Sequence, residues 1–411
     1  MEEILEKENL IQALKAVLRN KGAPGIDGMT VMQLPDYLRA NWKETRAKLL
    51  KGEYGPQAVR RVEIPKSGGG VRKLGIPTVL DRFIQQAIQQ VFQRKWDASF
   101  SEHSYGFRPG RSAHQAVEQA RQYIKEGNGI VVDIDLEKFF DRVNHDVLMS
   151  RIARRVKDKR VLKLIRAFLN VGVMENGLFQ PIEEGMPQGG PLSPILSNLL
   201  LDEWDRELEK RGLKFVRFAD DCNVYVRSER AGQRVMESIT NFLKKRLRLK
   251  VNEEKSAVGK PWKRKFLGFS FTSGANPKLR IAPQSLKRMK EKIRYLTRPT
   301  KGRSMKQVID ELTNYLRGWH AYFGRCETPS ILDQLDRWVR RRLRGLVWRQ
   351  WKRGTKRFNE LRKRGIGKDL AAQTAGSPKG PWRISKSPAL NYALPNAYLR
   401  SLGLYSLKLA K

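Results

Sequence analysis

The sequence predicts an α+β chain that turns helical and strongly basic in its last third. Three observations predict this. Short apolar runs with period-two alternation read as strands, as in Val62 and Ile64, or Val216, Phe218, Cys222, Val224 and Val226. Longer stretches with apolar residues three and four apart lie between them and read as helices. From about residue 284 the strand signals stop, and helical stretches dense in Lys and Arg take over.

In chain order, Leu5, Leu10, Ile11, Leu14, Val17 and Leu18 recur at helical spacing, and "NKGAPGIDG" (20–28) breaks that helix. "RRVEIPKSGGGVRKLGIP" (60–77) predicts a hairpin with a mobile glycine tip. "TVLDRFIQQAIQQVFQRKW" predicts a helix, and "SYGFRPGRSAHQAV" a basic turn entering another. "GIVVDIDLEKFFDRVNHDVLMSRI" starts as a buried strand and becomes helical. "GMPQGGPLSPILSNLLLDEW" is a glycine loop before a helix, which Ser193 can N-cap, Pro194 can start and Gly212 can end. A strand–turn–strand around Asp220 and Asp221 follows, then a helix and the short strand "KFLGFSF" (265–271). The helices "SLKRMKEKIRYL", "VIDELTNYLRGWHAYFGR" and "ILDQLDRWVRRRLRGLVWRQWKRG" complete the chain's basic part. Boundaries are expected near "TSGANP" (272–277) and "KRGTKRF" (352–358).

The 411 residues suit two or three domains. Lys and Arg number 82 against 42 acids, giving a formal charge of +40, and the pI is near 10.5. A surface built for solubility alone mixes its signs, so this excess points to a polyanion, nucleic acid first. The two cysteines, Cys222 and Cys326, form no CxxC and argue against disulfide or zinc frameworks. The acidic, amphipathic start is no secretion signal, and no apolar run is long enough to span a membrane. A reducing cytosol is the expected compartment.

The acids carry the chemistry. Asp220 and Asp221 interrupt an apolar alternation at a tight turn, which is expected to lift both out of the sheet. Asp133 and Asp135 lie two apart on one strand face, Asp135 nearer the end. A lone Asp-Asp pair is commonly an ordinary exposed turn. Together with the charge and the glycine loops, aspartates converging from two strands suit a hard cation with oxygen ligands, Mg2+. Two such ions can serve an in-line phosphoryl displacement.

These pieces resemble a family. "FADD" resembles the Tyr/Phe-X-Asp-Asp turn of reverse transcriptases, "DIDLEKFFD" their first metal-binding strand, and "PQGGPLSP" the loop after it. "RRVEIPKSGGGVRKLGIPTVLDRFIQQAI", "SYGFRPGRSAHQAV" and "LRGWHAYF" narrow the resemblance to group II intron-encoded reverse transcriptase/maturases, most like the class C type. It runs along essentially the whole chain. It implies a right-hand polymerase: fingers and a palm with an antiparallel sheet over 1–283, a helical thumb/maturase domain over 284–350, and a small basic DNA-binding domain over 351–411.

The same resemblance implies roles. Asp135, Asp220 and Asp221 would hold two Mg2+ ions. Asp135 is preferred to Asp133 because the family places an aromatic five residues after the ligand, here Phe140, which would disfavour a 2′-hydroxyl. Lys66 and Arg72 would clamp the triphosphate. Gln188 and Gly189 would lie beside nucleotide and template, and Lys255 near the leaving pyrophosphate. "KFLGFSF" resembles the primer-gripping turn, although a plain buried strand fits it equally. Two departures stand out: Phe218 replaces the usual tyrosine of the turn, and no Cys/His endonuclease cluster follows, so second-strand cleavage is not expected.

Arg108, Arg111, Arg341, Arg342, Arg344, Lys352 and Arg353 are the expected nucleic-acid contacts. Trp338, Trp348 and Trp351, at helical spacing among them, belong to a core more often than to base-stacking platforms. The implied partners are group II intron RNA, a template RNA–primer DNA duplex, target DNA and dNTPs, in a bacterial, nucleoid-associated ribonucleoprotein. Two functions compete: RNA-directed DNA polymerisation, and RNA-binding splicing assistance without significant polymerisation. Three converging acids favour the first, because a purely structural maturase has no chemical use for them. A polymerase domesticated for phage defence or spacer acquisition is disfavoured by the intron-type thumb and DNA-binding regions.

Overall fold

The chain was analysed as a computed structural model, which describes residues 1–65, 70–175, 178–180, 184–187, 189–299 and 302–408. It divides into two compact units, Met1–Leu267 and Gly268–Lys411.

The first unit opens with helices α1 (Lys7–Asn20) and α2 (Leu34–Lys51). Strands β1 (Val59–Pro65) and β2 (Val71–Ile76) then form the expected antiparallel hairpin, in the register Ile64↔Arg72. Its tip, with Lys66, lies outside the described residues. Helix α3 (Val79–Trp96) starts at Thr78, whose hydroxyl accepts from the Asp81 amide, and α4 (Ala113–Lys125) starts at Ser112 in the same way. Such caps satisfy amides that a helix start leaves unpaired.

Strand β3 (Ile130–Asp135) is buried until its last residue and gives way to a short turn and helix α5 (His145–Arg155), as the sequence predicts. Helix α6 (Lys159–Asn170) and strands β4 (Val173–Glu175) and β5 (Leu178–Gln180) lead to helix α7 (Ser193–Lys210). Here one expectation fails. Ser193 is inside α7, not its cap, and its hydroxyl donates to the Pro187 carbonyl at 2.9 Å instead. Gly212, at φ +64°, does follow the end of α7. Strands β6 (Lys214–Phe218) and β7 (Asp221–Val226), helix α8 (Glu229–Phe242) and strand β8 (Ala257–Gly259) complete the unit.

Two four-stranded sheets result. One has the order β6-β7-β3-β8 and is antiparallel throughout; the other has the order β2-β1-β4-β5, with β1 and β4 parallel. The first sheet puts Ile130, Val132, Ile134, Phe215, Cys222 and Val224 into a large apolar core shared with α3, α5, α6 and α7. Burying so many apolar side chains, each worth about 1.5–3 kcal/mol, fixes the strand register.

The second unit starts with the hairpin β9 (Phe269–Phe271) and β10 (Leu279–Ile281). Helices α9 (Pro283–Leu296), α10 (Met305–Phe323) and α11 (Ser330–Gln350) pack around Met289, Ile293, Leu312, Leu316, Leu335, Val339 and Leu343. Helices α12 (Gly354–Lys363) and α13 (Lys368–Ala375) and the short helices α14 (Pro381–Ile384), α15 (Pro388–Ala393) and α16 (Asn396–Ser401) follow. Trp348 and Trp351 are buried in a cluster with Leu361, Ile366 and Leu390, so both belong to the core.

Candidate active site

The acids meet where β3 and β7 run side by side. Asp135 stands directly opposite Asp221 in their antiparallel register, and Asp133 opposite Asn223. Directly paired residues on neighbouring strands project to one face with Cβ atoms about 4.5–5.5 Å apart. Asp221 therefore stays in the sheet, at the first position of β7. Only Ala219 and Asp220 lie between the strands, so the expectation that the turn lifts out both carboxylates is corrected for Asp221.

Asp221 carries a strong electrostatic signature. Part of the residue reaches solvent, yet its surroundings push its carboxyl up to about 8 from 3.8. Burial is the largest cause, followed by the charges of Asp133, Asp220 and Asp135. Asp133 is also raised by burial, but it has a cation of its own: Arg264 Nε and NH2 donate to its Oδ2 at 3.0 and 2.7 Å. Asp133 is thereby occupied on the protein side. Asp135 is held at its backbone, its amide donating to Ser256 Oγ at 3.0 Å and its carbonyl accepting from the Asn252 amide at 2.8 Å. Its carboxylate faces outward, 3.4 Å from Lys255 Nζ.

Among the described residues no three-ligand metal cage is pre-assembled. The donor set is nonetheless all oxygen, and the burial and repulsion that together raise Asp221 are what a divalent cation offsets. Asp135, Asp220 and Asp221 could together hold a hard cation.

The turn rests on a buried polar cluster that the sequence reading missed. Arg217 is fully buried, and its Nε and NH2 donate to Asp205 Oδ1 and Oδ2 at 2.7 and 2.5 Å. Its NH1 donates to the Ala219 carbonyl at 2.8 Å and to Asn198 Oδ1 at 3.2 Å; NH2 also reaches Ser104 Oγ at 2.8 Å. Asn198 in turn donates to the Gly106 carbonyl at 2.9 Å. Ala219 has φ +58°, a conformation that costs a non-glycine residue roughly 1–3 kcal/mol and persists only where surroundings impose it. A Cβ on Gly106 would come within 2.2 Å of the Ala219 amide nitrogen, so this glycine is required by close approach. The available signal was an arginine between Val216 and Phe218, facing a helix with Asn198, Asp202 and Asp205 at spacings of four and three.

The glycine loop before α7 borders the same region. The Met186 amide donates to the Phe140 carbonyl at 2.6 Å. Phe140 is half-buried, edge-on to the buried Phe139 with centroids 5.1 Å apart. Gly189 has φ +130°, and a Cβ there would lie 2.8 Å from the Gly75 carbonyl of β2. Gln188 lies outside the described residues. Arg72 sits in β2 opposite Ile64.

Two of the expected nucleic-acid contacts are corrected. Arg108 is buried, donating to Asp97 Oδ1 at 3.0 Å and to the carbonyls of Asp97, Ser101 and Ser104, so it binds its own loop together. Arg344 is buried too, donating to the Leu394 carbonyl and Asn396 Oδ1. Arg111 lies over Tyr105, and Arg342 donates to Thr297 Oγ1 beside Trp338. Lys352 and Arg353 are exposed. Among the described residues no helix is long and apolar enough to cross a membrane.

Residues 64–271 match the family "Reverse transcriptase (RNA-dependent DNA polymerase)", and residues 286–365 match "Group II intron, maturase-specific domain". Protein YkfC of Escherichia coli (strain K12) is 32% identical over 295 residues, covering 62% of this chain and 77% of its own. Group II intron-encoded protein LtrA of Lactococcus lactis subsp. cremoris is 34% identical over 206 residues, which is 50% of this chain and 34% of that protein. The chain therefore spans about a third of LtrA. Among solved structures, the partial Cas6-RT-Cas1–Cas2 complex aligns with a TM-score of 0.38 and 22% identity, covering 59% of this chain and 42% of that chain.

Proposed function

The chain belongs to the reverse transcriptase family and carries the maturase-specific domain of group II introns behind it, and we propose that Asp135, Asp220 and Asp221 are its polymerase site, holding two Mg2+ ions. It is an RNA-directed DNA polymerase joined to a splicing maturase. The family uses divalent metal ions; the choice of Mg2+ rests here on the all-oxygen donor set. One observation carries the reading: Asp135 opposite Asp221 across β3 and β7, with Asp221 raised by burial first and then by its acidic neighbours.

When bound, the ions would lower the pKa of the primer hydroxyl and neutralise charge on the leaving oxygens. The chain's own residues do the rest. Arg264 occupies Asp133 and leaves the outer acids for cations. Lys255, 3.4 Å from Asp135, would donate a proton to the departing pyrophosphate. The half-buried Phe140 ring would lie under the sugar and crowd a 2′-hydroxyl. Lys66 and Arg72, from the β1–β2 hairpin, would grip the triphosphate, with Gln188 and Gly189 beside the base.

The partners in this reading are dNTPs, a template RNA–primer DNA duplex, group II intron RNA and target DNA. The excess of +40 would bind them through phosphates. The setting is a bacterial cytoplasmic ribonucleoprotein. The test is primer extension on an RNA template with dNTPs and Mg2+. Full-length cDNA is expected. Absence of product, with tight salt-sensitive RNA binding, would leave a maturase alone.

A further inference from the structure

The second unit contains a cleft remote in sequence from the acids. One wall is α11, where Arg337, Arg340, Arg341 and Arg344 fall at i, i+3, i+4 and i+7 on one helix face. Lys386 faces them, and the remaining lining is serine and asparagine; among the described residues no carboxylate lines the cleft.

Like charges so close need compensation, and little is provided. Asp333 pairs with Arg337 at 2.5 Å. Asp336 is 3.7 Å from Arg340 but already accepts from Ser406 Oγ and the Leu407 and Lys408 amides. The partners of Arg341 are the Trp382 carbonyl at 2.9 Å and Ser385 Oγ. Those of Arg344 are the Leu394 carbonyl and Asn396 Oδ1. None of these groups is charged. Burial lowers the pKa of both arginines, and the charge of Arg340 adds to this at Arg344. The guanidinium groups of Arg341 and Arg344 are held in place by neutral acceptors, and the cleft lining carries net positive charge.

At the rim stands an aromatic ring. Arg341 Cζ lies 3.7 Å from the Trp382 ring centroid, yet Trp382 remains 43% exposed. Trp348 and Trp351 are core residues by contrast. A guanidinium on one side and solvent on the other make Trp382 a platform for a flat partner. The four arginines extend along roughly 10 Å of helix, longer than one phosphate group.

We propose that this cleft binds an unpaired nucleic-acid strand, with consecutive phosphates against Arg337, Arg340, Arg341 and Lys386 and a base stacked on Trp382. A paired base has both faces covered by its own stack, so the exposed ring selects a single strand over a duplex. The inference rests on the nucleic-acid-binding part of the proposed function and not on the polymerase site.

The test uses the full chain without dNTPs and measures anisotropy of labelled oligo(dT), oligo(U) and a blunt duplex of equal length across a salt series. The variants are Trp382→Ala and the pair Arg337→Gln/Lys386→Ala, all at exposed side chains. Trp382→Ala should weaken single-strand binding about fivefold or more and change duplex binding less than about twofold. The pair should flatten the single-strand salt slope by about 1.4, from two lost phosphate contacts. Losses on both oligonucleotides mean the cleft reads what they share, the phosphates and a flat pyrimidine ring; a loss on one identifies that strand. Wild-type affinity and slope in every variant, or equal losses on single strand and duplex, would overturn the proposal. Cleft effects in a protein that extends no primer would support the cleft and remove the polymerase reading.

Discussion

Replacing Arg217 by methionine tests how the turn at Ala219 and Asp220 is held. Arg217 and Asp205 are both without solvent exposure and share two short hydrogen bonds. Removing the guanidinium leaves the Asp205 carboxylate buried without its cation, which typically costs about 3–5 kcal/mol. The Ala219 carbonyl and Ser104 hydroxyl lose a partner as well. Urea unfolding reads the cost in the transition that Mg2+ shifts, since that unit carries the acids. At an m-value of roughly 2–3 kcal/mol/M, its midpoint should fall by about 1–2.5 M. The double variant Asp205→Leu/Arg217→Met removes both charges and should regain at least about 2 kcal/mol. It should still extend primers about 100-fold more slowly, because the left-handed Ala219 loses the donor that fixes it and small displacements of reacting groups cost that much. A single variant less than about 1 kcal/mol destabilised, or a double variant with wild-type extension, would refute this reasoning.

Gly106→Ala should slow extension at least about tenfold with folding retained, as its Cβ would press on the Ala219 amide from 2.2 Å; unchanged kinetics would show that the turn yields freely. Mg2+ binding should depend on pH. Asp221 is protonated in the fold up to about 8, against 3.8 unfolded, so its contribution to stability is full at low pH and is lost as pH rises through about 8. A bound cation displaces that proton. Affinity read from thermal shifts should therefore rise about tenfold per pH unit between about pH 6 and 8 and level off above; a flat profile contradicts the assignment. Phe140→Ala should raise rNTP incorporation relative to dNTP incorporation about tenfold or more in competition assays, whereas an unchanged ratio would return Phe140 to a packing role.

Much of this was legible in the sequence because the signals were local. The β1–β2 hairpin, the β3 strand and the β6–β7 turn each announce themselves by alternation broken at Gly or Asp. Long-range choices were not legible. Arg108 and Arg344 look like any arginine in a basic stretch, and only the fold turns them inward onto carbonyl groups. The role of Asp133 depends on Arg264, 131 residues away. Ser193 has the right residue type for a cap, but the chain bends back so that Pro187 takes its hydroxyl. The Arg217 cluster joins side chains from residues 104 to 217 and becomes visible only when β6 lies on α7.

The central claim is that Asp135, Asp220 and Asp221 do chemistry while other surfaces hold RNA. The most direct measurement pairs primer extension with binding of a structured group II intron RNA, for wild type, Asp220→Ala and Asp221→Asn. The account predicts cDNA from the wild type alone and RNA affinities within about twofold of one another, since backbone contacts elsewhere dominate binding. Extension by either variant, or a loss of RNA binding in step with activity, would contradict it.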